Sequence, residues 1–125
     1  MAGLCRSRIV LSVACLLPTL VTTTGCRSHH IETTVENRTG AMVELLEVDY
    51  PSASFGANAL AAGADYNYRI QIRGTGALKV QYTAAGGLKE QVNGPALTEG
   101  QQGRLLIVLL PGGKAEFRPE LTAAP

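Results

Sequence analysis

Tryptophan is absent from this 125-residue chain, aromatic residues of every kind make up 5%, and histidine occurs only twice. Without tryptophan the chain lacks the ring on which sugar-binding platforms are commonly built. The two histidines are neighbours, His29 and His30, and none follows them. The usual general base is therefore missing from the rest of the chain, which excludes a Ser-His-Asp or Cys-His hydrolase. Adjacent side chains of an extended segment point to opposite sides, so the pair does not chelate one ion; no metal or cofactor is expected. Charged residues are sparse at 17% and balanced at a net +1. Lys and Arg are scattered, without the basic stripe and stacking aromatics of a nucleic-acid surface.

Long apolar runs are also lacking. The apolar run near the start, Ile9 to Val21, spans thirteen residues without a charge, whereas a membrane-spanning helix needs about 20. Preceded by Arg6 and Arg8 and followed by small residues, it has the layout of a secretory signal peptide. The residues after it, Thr23, Thr24, Gly25 and Cys26, resemble the lipobox of bacterial lipoprotein precursors, a family that usually has leucine where Thr23 stands. The resemblance covers residues 1–26. It implies cleavage between Gly25 and Cys26, a diacylglyceryl group on the Cys26 thiol and further acylation, with palmitate-type chains, of the new amino terminus. Two or more such chains hold a protein stably on a bilayer. Arg27 in place of an aspartate resembles the lipoproteins sent to the outer membrane, facing the periplasm. An ordinary signal peptidase site at the same position would instead release a soluble secreted protein. Cys5 and Cys15 fall within the leader, so Cys26 would be alone in the mature chain and no internal disulfide is available.

The expected organisation is a signal peptide over 1–25, a lipid-anchored tether over 26–30 and one domain over 31–125. With Arg6 and Arg8 removed, nine basic residues face ten acids in that mature chain. Short alternating segments divided by turn residues run through it. Tyr66 to Arg73 alternates with period two, as does Leu78 to Thr83, and Gly74-Thr75-Gly76 between them predicts a hairpin. Ile31 to Glu36 and Ala41 to Tyr50 are expected strands around the turn Asn37-Arg38-Thr39-Gly40. Leu88 to Val92 is expected as a polar, open-edge strand, followed by an irregular stretch to Gly103. Arg104 to Leu110, apolar on both faces, is expected as a central strand under another layer, and Lys114 to Arg118 as a short edge strand. Six to seven strands without a helical period predict an all-β fold, a small antiparallel β-sandwich of immunoglobulin-like or transthyretin-like shape.

Two constellations qualify for function. The fifteen-residue connection Pro51 to Asp65 exceeds the usual loop length of about 12 residues. It either lays Phe55 and Leu60 on the core as a lid or forms a binding loop with Phe55 as anchor and Tyr50 and Tyr66 at its ends. Acids near it (Glu44, Glu47, Asp49, Asp65) would be needed for a carboxylate-dependent hydrolase, since two carboxyls of separated pKa can cleave glycosides. The glycine pairs at Gly74/Gly76 and Gly112/Gly113 lack the remaining residues of nucleotide-binding loops and are expected turns. The reading that emerges is a cell-envelope lipoprotein, held to the membrane through Cys26. Its non-enzymatic sandwich would bind protein partners or envelope polymers, or alternatively a carbohydrate or small apolar ligand at the loop face.

Overall fold

A computed structural model describes residues 29–123, so Gly25, Cys26 and the start of the tether lie outside the described residues. The described chain contains eight strands: β1 (Ile31–Asn37), β2 (Val43–Tyr50), β3 (Ala53–Leu60), β4 (Asp65–Ile70), β5 (Thr75–Thr83), β6 (Lys89–Thr98), β7 (Gln102–Leu110) and β8 (Lys114–Thr122). They form two four-stranded sheets, sheet A in the order β4-β1-β7-β8 and sheet B in the order β3-β2-β5-β6. All neighbours are antiparallel except β1 and β7, which run parallel. The fold is thus an all-β sandwich. Its first two strands lie in different sheets, whereas an immunoglobulin sandwich keeps them together.

The core is the inward faces of the two sheets. Ile31 and Val35 of β1 and Leu105, Ile107 and Leu109 of β7 meet Val43, Leu46 and Val48 of β2 and Leu78, Val80 and Tyr82 of β5. Each such side chain contributes about 1.5–3 kcal/mol when taken from water. In β2 the alternation breaks where Leu45 adopts φ 50° and the register against β5 shifts between Glu44 and Glu47. This β-bulge turns Leu45 to solvent while Val43, Leu46 and Val48 stay in the core.

Asn37 locks the end of the sandwich away from His29. It is buried, and its Nδ2 donates to the carbonyls of Ala41 (2.8 Å), Leu60 (2.9 Å) and Ala61 (3.2 Å). Its Oδ1 accepts from Thr39 N and Thr39 Oγ1. One side chain thereby ties the β1–β2 turn to the β3–β4 turn.

Three expectations are corrected. The segments over 66–73 and 78–83 are not a hairpin: β4 pairs with β1 in sheet A, and β5 pairs with β2 and β6 in sheet B. Ile70 and Ile72 are both buried and Gly74 takes φ 83°, so the chain crosses between sheets there and keeps two isoleucines in the core. Most of the connection expected over Pro51 to Asp65 is strand β3, joined to β2 by the two-residue turn Pro51-Ser52 with Ser52 at φ 87°. The irregular stretch after Val92 is largely a continuation of β6, an edge strand, where Pro95 leaves no central ladder bond unmade.

Candidate functional site

The outer face of sheet A carries a dense set of polar and charged side chains. Its register sets side chains in rows across the four strands β4, β1, β7 and β8. Arg69, Glu32, Arg104 and Glu120 form one row, Asn67, Thr34, Leu106 and Arg118 the next, and Asp65, Glu36, Val108 and Glu116 a third. The first two rows enclose a depression of about 540 Å³. Most charges around it are paired with one another: Arg69 with Glu32 at 2.8 Å, Arg118 with Glu116 at 2.8 Å, Arg38 with Glu36 at 3.0 Å. The Arg118 guanidinium holds the Glu116 carboxyl below its ordinary range, chiefly through their hydrogen bond, and Arg118 is raised in turn. Thr34 Oγ1 donates to Asn67 Oδ1 at 2.7 Å. Arg104 and Glu120 line the depression with no ion-pair partner among the described residues.

The floor follows from β7. Its inward residues Leu105, Ile107 and Leu109 belong to the core, yet its outward residues Leu106, Val108 and Leu110 are apolar as well. No second layer of the described residues covers this side. Val108 is only 4% exposed and stands apart from the core cluster, in the row between Glu36 and Glu116. The stems of such long charged side chains can cover apolar surface while their heads stay wet. Within the depression the apolar floor is therefore Leu106, and an apolar floor with polar walls is the general form of a binding surface.

The residues expected at the loop face are brought together, but not as expected. Phe55 of β3 stacks on Tyr68 of β4 with centroids 4.7 Å apart and lies 6.1 Å from Tyr66 and 6.2 Å from Tyr50. Phe55 itself is buried at 6% exposure, as is Leu60, so both pack as a lid on the core; Tyr68, at 43%, is the exposed ring of the group. The cluster closes the side of the sandwich where edge strands β3 and β4 meet.

The acids do not converge. Asp65 is on sheet A, while Glu44, Glu47 and Asp49 lie on β2 of sheet B. Asp49 accepts from Gln81 Nε2 at 3.1 Å and meets Lys79 Nζ at 3.5 Å. Glu47 is raised above its ordinary range, first by a hydrogen bond with Asp49 and then by that neighbour's charge. The pair sits on an open sheet face. Among the described residues no three His, Cys, Asp or Glu side chains gather in a metal-binding group. His29 and His30 are not free in a tether: His29 Nδ1 lies 3.1 Å from Gln102 Oε1, Gly103 N donates to the carbonyl of His30 at 3.3 Å, and His30 is 3.7 Å from Glu32.

Sequence reasoning missed Tyr68, Arg104 and Leu106 as members of surface groups. The two-sided apolar pattern of β7 was the signal available for Leu106; the rows depend on pairings between distant segments. Fold and face together describe a small two-sheet β-sandwich with an apolar-floored polar groove. No family model matches the chain, and no curated protein matches it. A solved structure described as the NMR structure of the protein from Eubacterium rectale is similar, with a TM-score of 0.54 at 15% identity over 74% of this chain and 89% of that one. Likeness at that identity concerns the fold.

Proposed function

We propose that this is a cell-envelope lipoprotein, anchored through Cys26, whose sandwich is a non-enzymatic binding module for a protein partner or envelope polymer. The outer face of sheet A is the binding surface. The observation that carries this reading is the half-buried side chain of Leu106 at the floor of a depression walled by polar and charged side chains. Burying apolar surface against a partner gives about 25 cal/mol per Å², and Arg104 and Glu120 at the rim, which have no ion-pair partner among the described residues, supply orientation. The TTGC motif at 23–26 supports the anchor, and the chain joins the sandwich at His29, three residues after Cys26. Outer-membrane attachment facing the periplasm accords with Arg27.

The binding half of the proposal is tested by placing a photo-crosslinking residue at position 106 in living cells, with position 91 on the exposed edge strand β6 as control. A discrete adduct from 106 and none from 91 is expected; equal patterns from both positions would remove the face from consideration. A second reading, capture of a carbohydrate or small apolar ligand beside Tyr50, Phe55 and Tyr66, draws on the exposed ring of Tyr68. It predicts that Tyr68→Ala, and not Leu106→Glu, abolishes binding.

A further inference from the structure

A smaller hollow of about 180 Å³ lies at the opposite end of the sandwich from His29, between the β5–β6 hairpin and the β7–β8 turn. Strand β7 starts beside His29 at Gln102 and ends in this hollow at Leu110. Leu88, Leu110 and Pro111 give it apolar walls, Leu88 standing 61% exposed at the rim. One carboxylate lines it, that of Glu90, which faces Tyr82 across the β5–β6 ladder. The Glu90 side chain reaches from sheet B to the turn of sheet A and rests on Gly113. That residue has φ 72°, and a Cβ there would collide with the carboxylate.

Glu90 is half-buried and has neither ion pair nor hydrogen bond among the described residues. A carboxylate drawn out of water needs a cation or donors to offset its lost hydration. The hollow is smaller than the roughly 300–1,000 Å³ of drug-sized ligand sites, so its occupant has the dimensions of one side chain. We propose that it binds an alkylammonium group, the ammonium on the Glu90 carboxylate beside the ring of Tyr82 and the methylenes against Leu88, Leu110 and Pro111. The Tyr82 hydroxyl is raised mainly by burial and secondly by the charge of Glu90, in keeping with a carboxylate close to the ring.

The ammonium can come from a free amine or from a lysine side chain of a partner. The full chain is titrated with n-butylammonium chloride in one arm and Nα-acetyl-lysine amide in the other, with 1-butanol at matched ionic strength as the uncharged control. Amide resonances of Leu88 and Gly113 and the ring of Tyr82 report binding. Saturable shifts with an amine and not with butanol are expected, weakened about tenfold or more in Glu90→Gln, where the charge-assisted contact is lost. Gly113→Ala, checked for native fold by circular dichroism, should weaken binding by displacing the carboxylate. Saturation by the lysine amide assigns the source to a peptide side chain; saturation by butylammonium alone assigns it to a free amine. Absence of saturation in both arms, equal saturation by butanol, or unaltered binding in Glu90→Gln overturns the proposal.

Discussion

Asn37 shows how much one polar side chain can carry. It serves three carbonyls and one hydroxyl-bearing neighbour while fully buried, so Asn37→Ala strands several groups at once. Each buried group left without a partner costs about 1–3 kcal/mol. A loss of about 3 kcal/mol or more in urea unfolding is expected. Thr33 is the opposite case: its hydroxyl is buried on the core side of β1 without a hydrogen bond among the described residues. Thr33→Val keeps the shape and should gain about 1 kcal/mol. Two carboxyls give opposite pH behaviour. Glu116 is lowered by Arg118, so its stabilising part is present above the ordinary carboxylate range and disappears as pH falls through its lowered value. Glu47 is raised by Asp49, so the folded protein holds that proton more tightly and stability declines as pH rises through its raised value. Melting temperatures taken from about pH 3 to 7 should therefore show Glu47→Gln gaining on the wild type as pH rises and Glu116→Gln falling behind it.

At the scale of elements, the two sides of the sandwich close differently. On the β3–β4 side aromatic rings fill the seam. On the β6–β8 side Gly94 makes room for Phe117: a Cβ on Gly94 would lie 2.8 Å from the ring. Overpacking of this kind costs about 1–3 kcal/mol. Gly94→Ala should destabilise by that amount, and Phe117→Leu should recover part of it, giving a measurable coupling in a double-mutant cycle. Strands β5 and β7 were legible because alternation or apolar content marks them strongly. Strand β3 was not, since ASFGANAL is dominated by Ala, Gly and Asn, which are poor strand formers; it exists because β2 supplies a ladder and Phe55 and Leu60 supply burial. Partition into sheets was equally hidden. Two alternating segments around a glycine suggest a hairpin, and only the joint burial of Ile70 and Ile72 turns β4 and β5 into opposite sheets. The grouping of Tyr50, Phe55 and Tyr66 was legible from their places around one connection. The groove was not, because it rests on the parallel pairing of β1 with β7, some seventy residues apart.

Viewed whole, the fold keeps the proposed attachment point apart from the proposed binding face. His29 docks beside Gln102, and Ile31 pairs with Gly103, which pairs with Leu121. Both ends of the described chain therefore leave at one end of the sandwich, and the proposed anchor leaves the face of sheet A and the far turns clear of the bilayer. If that face binds, stability and binding are separable. Leu106→Glu, at a half-buried outward site, should cost about 1 kcal/mol or less in unfolding and yet eliminate the adduct formed from elsewhere on the groove. The anchor is the central claim, and the intact mass of the protein isolated from membranes tests it most directly. A chain beginning at Cys26 and heavier than its polypeptide by a diacylglyceryl group and an acyl chain is predicted. A chain that begins at Cys26 with the bare polypeptide mass, or that keeps residues 1–25, would contradict it.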